Sequence, residues 1–166
     1  MTTKTLFSCL LLAGSSMAVA SQPSQAVLDA AKVSTTLSVT DCWIRAIPAP
    51  APAGGFFLVK NSGDQDVKLI GAASPAYGLT MLHQTTHSGG MSRMSEVPSV
   101  TVPAKGTLAF KPGDYHAMLE QPDTSVKVGA KVQVSFLFDN GEKVVTQCEI
   151  MPANTRGHGH TQHRQH

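Results

Sequence analysis

Short runs of alternating apolar and polar residues, separated by glycine, proline and asparagine, dominate the chain from residue 35 onwards. The clearest pair, residues 131–138 and 143–150, flanks Asn140-Gly141. An Asn-Gly between two alternating runs is the strongest short signal for a β-hairpin. Further strand-like runs cover residues 35–47, 55–61, 67–74, 79–86, 91–94, 99–104 and 106–114.

This pattern predicts the fold class. About eight or nine short strands with frequent turn signals, and no long amphipathic helix, predict an all-β sandwich or Greek-key barrel. The alternation shifts phase near Asp41, which predicts a β-bulge. Residues 48–55 (PAPAPAGG) predict a stiff, exposed loop, because proline and glycine interrupt regular structure.

The first twenty residues have the pattern of a cleaved signal peptide. Lys4 precedes an apolar run over residues 6–14, and the small residues 18–20 provide a cleavage site. Cys9 lies inside the apolar run, which disfavours a lipoprotein. We therefore expect export to the periplasm and, after cleavage, no membrane insertion.

The remaining chain divides into three predicted parts. Residues 21–35 are a polar lead-in without clear periodicity, interpreted as a linker or short helix. Residues 36–152 form the β domain. Residues 153–166 are predicted to be a disordered tail, because they contain four histidines and little to bury. Spaced imidazoles suit Cu(II), Ni(II) or Zn(II), and the general affinity order favours Cu(II). The expected auxiliary ligands are His158, His160, His163 and His166.

Charge and cysteine content narrow the function classes. The formal net charge of +2 falls to +1 when Lys4 is removed, so neither nucleic acid nor an anionic membrane is an expected partner. We expect a monomer. Cys42 and Cys148 are the pair left after cleavage, and in an oxidising compartment they predict a disulfide. A redox-active or metal-binding thiol pair is the alternative.

The candidate chemistry lies between residues 81 and 118. This stretch contains four of the five methionines outside the signal peptide and all three histidines outside the tail. Thioethers and imidazoles concentrated in one segment indicate a soft-metal site. His116 and Met118 are two apart, so on an extended strand they leave the same face. Met81 and His83 have the same relation.

His83, Met94, His116 and Met118 together offer two nitrogens and two thioether sulfurs. Neutral soft donors without a thiolate favour Cu(I), whereas zinc prefers a thiolate or carboxylate in such a set. A blue-copper centre needs a cysteine ligand, and both available cysteines lie far from the stretch. We interpret Met81 and Met91 as strand packing, with at most minor support from Met91. His87 is expected to be solvated, and Trp43 and Phe56-Phe57 to be core.

Ten residues separate His83 from Met94, twenty-one separate Met94 from His116, and one separates His116 from Met118. This spacing resembles the H-x10-M-x21-H-x-M signature of the periplasmic PCuAC copper chaperones. The similarity extends over residues 36–151. Further matching segments are Trp43-Ile44-Arg45, Gly55 to Asn61, Gly90 to Met94 and Pro112 to Leu119. Asp114 and Glu120 depart from the usual family residues, close to the site but not as ligands.

The resemblance implies a cupredoxin-like barrel without a blue-copper centre. It also implies that the four residues hold Cu(I) at an exposed site and hand it to an acceptor. The expected acceptor is the CuA site of cytochrome c oxidase subunit II or another copper chaperone. The protein would then not be an enzyme. Two alternatives remain: copper sequestration for tolerance, with the tail as main binder, or a thiol–disulfide oxidoreductase that assists oxidase assembly.

Overall fold

The computed structural model of the chain describes residues 22–157, which form a short helix and eleven strands. The elements are α1 (Gln25–Ala30), β1 (Lys32–Val33), β2 (Leu37–Arg45), β3 (Ala53–Asn61), β4 (Val67–Ala73), β5 (Tyr77–Ser88), β6 (Met91–Glu96), β7 (Val100–Val102), β8 (Thr107–Phe110), β9 (Tyr115–Pro122), β10 (Lys131–Phe138) and β11 (Glu142–Met151). The all-β prediction is confirmed, with more strands than expected.

The strands form one curved, open sheet. Their order is β6-β5-β9-β3-β2-β11-β10-β4-β7, with β1 added beside β11 and β8 beside β3. Most neighbours are antiparallel, while β11 runs parallel to both β1 and β2. The predicted hairpin joins β10 to β11, and Gly141 has the positive φ of 78° that such a turn requires.

The core lies on the inner face of this sheet and follows from the alternation of the strands. The ring of Phe57 lies 4.3 Å from that of Phe110 and 4.5 Å from that of Phe136, measured between centroids. Leu82 of β5 and Ala117 of β9 also point into this core. Their immediate neighbours along each strand must therefore point outward.

A β-bulge in β2 sets which side chains face outward beside the site. The register with β3 shifts between Thr40 and Trp43, and Asp41 has a φ of 52°. The predicted bulge is thus confirmed. Because of this extra residue, Cys42 and Ile44 face the core, while Trp43 and Arg45 face outward.

Cys42 and Cys148 form a disulfide that ties β2 to β11, as predicted. Both residues are buried, with exposed fractions of 8% and 0%. The bridge closes a loop with a sequence separation of 106 residues, next to the parallel pairing of the two strands. Its position therefore fixes the strand that carries Trp43 and Arg45.

The described part of the lead-in, residues 22–35, contains the short helix α1 and strand β1 and is attached to the sheet. Leu28 of α1 is buried, and β1 pairs with β11. The Gln22 side chain donates to the Gly78 carbonyl and accepts from the Thr80 amide. These contacts attach the segment to the sheet because a polar sequence can still supply hydrogen bonds to a strand edge.

The predicted loop over residues 48–55 is shorter than expected. Strand β3 begins at Ala53, since Ala53, Gly54 and Gly55 pair with β9. A side chain at Gly55 would approach the Leu119 side chain to 3.0 Å, so the glycine permits close packing there. The proline-rich part therefore ends directly beside the strand that carries His116 and Met118.

Two predicted segments, the signal peptide over residues 1–20 and the four tail histidines, lie outside the described residues. Between residues 22 and 157, the structure contains no helix long and apolar enough to cross a membrane.

Candidate metal centre

Four candidate donors lie in a block on the outer face of β5 and β9. In the register of these antiparallel strands, Met81 lies opposite Met118 and His83 lies opposite His116. The residues between them, Leu82 and Ala117, are buried in the core. Alternation therefore places the two histidines and two methionines on one surface, which we call the site face.

The β5–β6 hairpin adds Met94 to the site face. Gly89 and Gly90 form its turn with φ values of 57° and 77°, a conformation that glycine adopts without strain. Thr85, two residues beyond His83, lies opposite Met94 in the pairing. The Met94 sulfur consequently reaches within 3.1 Å of the His116 Nε2 atom. Met94 remains 51% exposed.

The hydrogen bonding of His116 defines its tautomer. Its Nδ1 lies 2.8 Å from the backbone carbonyl oxygen of Asp114. A carbonyl only accepts hydrogen bonds, so Nδ1 carries the proton and the neutral ring has its lone pair on Nε2. That lone pair and the Met94 sulfur are two electron donors pointing at the same place. Such an arrangement suits a cation between or beside them.

His83 is the second imidazole of the block and has no internal partner. Both of its ring nitrogens are buried and make no hydrogen bond within the part of the chain that the structure describes. Burial lowers the pKa of His83, and the adjacent His116 lowers it further, while Glu96 and Glu120 oppose the shift. Burial and the neighbouring His116 thus both favour the neutral imidazole, which is the form that binds metals.

An aromatic layer supports His116 from the side of β2 and β3. The Phe56 ring centroid lies 6.4 Å from that of His116 and 4.5 Å from that of Trp43. The Arg45 guanidinium covers both rings, at 5.0 Å from Phe56 and 5.6 Å from Trp43. Trp43 and Phe56 are buried as predicted, but they lie under Arg45 on the outer face rather than in the main core.

Two residues near the hairpin differ from the sequence-based interpretation. His87 is not merely solvated, because its Nε2 donates to the Gly113 carbonyl while Ser92 Oγ donates to its Nδ1. Both nitrogens are thus occupied, and the contact attaches the hairpin to the turn before His116. Met91 is 75% exposed, so its predicted role in packing is wrong. It pairs with Ser88 and lies on the opposite face from Met94.

Met81, interpreted from the sequence as strand packing, lies next to the other candidate donors. It is partly buried on the site face, directly opposite Met118 and two residues from His83. The signal was present in the spacing of Met81 and His83, which repeats that of His116 and Met118. A third thioether therefore borders the four-residue set.

Methionine supplies the sulfur donors of the site face. Among residues 22–157 no three histidine, cysteine, aspartate or glutamate side chains come close enough to hold a metal ion. The donors that do converge are two imidazoles and thioethers.

Comparisons with known proteins identify the family. The model of the LpqE-like family, described as putative lipoproteins, matches residues 37–150. A putative lipoprotein of Leifsonia xyli subsp. xyli is 32% identical over 106 residues, which are 63% of this chain and 63% of that protein. An uncharacterized protein of Rickettsia prowazekii is 29% identical over 100 residues, 60% of this chain and 55% of that protein. The chain therefore spans less than two thirds of the length of these relatives.

Solved structures show the same fold. The apo PCuAC domain of PmoF2 has a TM-score of 0.62 and 20% identity, and the match covers 76% of this chain and 98% of that one. The copper-bound form of that domain has a TM-score of 0.59 at 19% identity, covering 74% and 97%. The solution structure of CuI-DR1885 from Deinococcus radiodurans has a TM-score of 0.57 and 30% identity, covering 75% and 83%.

The family match and these structures confirm the resemblance noted in the sequence and the cupredoxin-like all-β fold it implied. The match covers most of the described β domain, including the strands of the site face. The chain belongs to the LpqE-like family and shares the fold of the PCuAC domains.

Proposed function

We propose that this protein is a periplasmic copper metallochaperone that binds Cu(I) through His83, Met94, His116 and Met118. The observation that carries the proposal is the 3.1 Å approach of His116 Nε2 to the Met94 sulfur, beside a His83 ring without hydrogen-bond partners. The copper-bound PmoF2 domain and CuI-DR1885 support the choice of metal.

The donor set suits a site that must both hold and release its ion. Thioethers carry no charge and have no proton to compete with Cu(I), so an acceptor's ligands can displace them one at a time. His116 is buried and held by its Nδ1 hydrogen bond, whereas Met94 is half exposed. Release would therefore start at Met94 and end at the histidines.

The cargo would pass to the CuA site of cytochrome c oxidase subunit II or to another copper chaperone. Copper remains Cu(I) throughout and no substrate is turned over, so the protein acts as a binding protein rather than an enzyme. It would be exported by the signal peptide over residues 1–20 and act as a monomer. The tail histidines His158, His160, His163 and His166 would add a Cu(II) site.

An anaerobic competition titration with Cu(I) tests the folded site. The chain from residue 21 carries asparagine in place of the four tail histidines, so that the domain alone supplies the ligands. We expect one tightly bound equivalent, and its loss in the same chain carrying His116→Ala and Met118→Leu. Absence of tight binding before those two changes would refute the proposal and favour sequestration by the tail.

The oxidoreductase alternative finds less support. It needs a disulfide that acceptor thiols can reach, and both Cys42 and Cys148 are buried.

A further inference from the structure

A small cavity opens beside two of the proposed copper ligands. It has a volume of about 200 Å³ and extends from His116 and Met118 toward Phe56 and Arg45. Pro52 of the proline-rich loop and Ile47, just before that loop, give the cavity an apolar lining. We call it the Arg45 cavity. The cavity therefore lies on the β3 and β2 side of the proposed copper site.

The sheet register explains why the cavity exists. Arg45 pairs with Gly54 of β3, and Gly54 pairs with Met118 of β9, so the three residues form one row across the sheet. Gly54 contributes no side chain between its two neighbours. A Cβ atom there would lie 3.0 Å from the Cζ atom of Phe56, so a larger residue would fill the space and displace the ring.

Arg45 is positioned to bind an anion. Its guanidinium is held over two aromatic rings, so little conformational freedom remains to be lost on binding. Its Nε is buried and makes no hydrogen bond with any residue between 22 and 157. The ion pairs in that part of the chain are Lys105–Asp64 and Lys111–Asp114, so no carboxylate neutralises Arg45 there.

The charges around the site differ between its two sides. Glu96 lies opposite His83 on β6, on the side away from the Arg45 cavity, whereas Glu120 lies on β9, two residues beyond Met118. Arg45 lies on the other side of the site, in the same row as Met118 and two strands away from it. An approaching carboxylate is repelled by Glu96 and attracted to Arg45. This asymmetry fixes the orientation of an acidic partner on the site face.

We propose that the Arg45 cavity receives the carboxylate of an acidic side chain on the copper acceptor and thereby docks the acceptor next to Met118. This inference rests on the proposed function. The guanidinium fork supplies parallel donors for the two carboxylate oxygens, and Ile47 and Pro52 contact the methylene groups of the acidic side chain. The acceptor's copper ligands are then delivered to the edge of the thioether site.

The first test probes the cavity without copper. Acetate is titrated into the apo, full-length chain after signal removal, and amide and arginine Nε–H shifts are followed by NMR. We expect saturable shifts at Gly54 and Arg45 that disappear in Arg45→Gln. Arg93→Gln is the matched control, because it removes the same charge from an exposed position of β6 facing away from the site. Shifts that persist in Arg45→Gln overturn the proposal.

The second test measures transfer of Cu(I) from the loaded chain to a soluble CuA domain of oxidase subunit II. We expect Arg45→Gln to slow transfer by at least about tenfold, because even one charge-assisted hydrogen bond contributes that much, and Arg93→Gln to leave it unchanged. The Cu(I) affinity of both variants is measured in parallel, so that weaker copper binding is not mistaken for weaker docking of the acceptor.

The outcomes separate this inference from the proposed function. Acetate binding with unchanged transfer would mean that the cavity takes free carboxylates, which contradicts a docking role. Equal slowing by both substitutions would indicate general electrostatic attraction and also overturn it. If the unsubstituted chain binds no Cu(I), the proposed function fails, and with it the identification of the partner, whatever the acetate titration shows.

Discussion

The Nε2 atom of His116 lies 3.1 Å from the sulfur of Met94, although the two residues are 22 positions apart and on strands separated by β5. The contact depends on the hairpin that folds β6 back along β5 and on the register that sets Thr85 opposite Met94. In the neutral ring Nε2 carries no proton, so the contact brings two lone-pair donors together.

Replacing a thioether ligand should weaken Cu(I) binding without unfolding the domain. We expect Met94→Leu and Met118→Leu each to lower the affinity by at least the roughly 10–100-fold that outer-shell partners of metal sites contribute. Leucine keeps the side-chain volume similar, so the melting temperature should change little. Competition titration measures the first quantity and thermal unfolding the second.

Met91→Leu is the control for these variants, because Met91 is more exposed than Met94 and lies on the other face of β6. It should bind Cu(I) as the unsubstituted chain does. An equal loss in Met91→Leu would show that the titration reports methionine content rather than a defined site.

The position of Met81 allows a graded comparison. Met81 shares the site face with the proposed ligands and lies opposite Met118, yet the four-donor set is complete without it. We therefore expect Met81→Leu to reduce Cu(I) affinity less than Met118→Leu does. The same titration on both variants checks this order. A loss in Met81→Leu as large as that in Met118→Leu would make Met81 a ligand and contradict the four-residue assignment.

The free energy of unfolding should depend on His83 below neutral pH. Burial is the main cause of its lowered pKa, and the neighbouring His116 adds to it. An unfolded histidine titrates near pH 6.5, so below about that value the unfolded chain takes up a proton that folded His83 resists. The contribution of His83 to stability is thus complete above about pH 6.5 and is lost as the pH falls toward its folded pKa.

Urea unfolding across this pH range checks the effect. In His83→Gln the part of the pH dependence that belongs to His83 should be absent. Glu96 raises the pKa of His83, so Glu96→Gln should lower that pKa further, as followed by NMR of the imidazole protons. A His83 pKa above its ordinary value, or an upward shift in Glu96→Gln, would contradict this electrostatic account.

The buried disulfide should stabilise the fold without taking part in transfer. It closes a loop of about a hundred residues, for which the chain-entropy model gives roughly 4–5 kcal/mol of stabilisation. Replacing Cys42 and Cys148 together by alanine should lower the free energy of unfolding by an amount of this order. Any variant that still folds should bind and transfer Cu(I) normally. Loss of transfer in a folded double variant would revive the oxidoreductase alternative.

The parts of the site that follow from local spacing could be predicted from the sequence. His116 and Met118 share a face because side chains alternate along a strand. The hairpin turn at Asn140-Gly141 follows from the same kind of local rule. The three-residue spacing of Met91 and Met94 likewise places the two side chains on opposite faces of a strand.

The remaining features depend on long-range register. Arg45 covers Trp43 and Phe56 because the bulge at Asp41 turns Trp43 and Arg45 outward and β3 then aligns Phe56 beside them. The hydrogen bond from His87 to the Gly113 carbonyl joins segments 26 positions apart. No local pattern contains such pairings, so the aromatic layer and the Arg45 cavity emerge only in the folded chain.

The central claim is that two imidazoles and two thioethers hold one Cu(I) on the site face. Copper K-edge X-ray absorption tests it directly, on the chain with the four tail histidines replaced by asparagine and loaded with one equivalent of Cu(I). We predict nitrogen and sulfur scatterers together, and one sulfur fewer in Met118→Leu. A spectrum with nitrogen or oxygen scatterers alone, unchanged by Met118→Leu, would contradict the account.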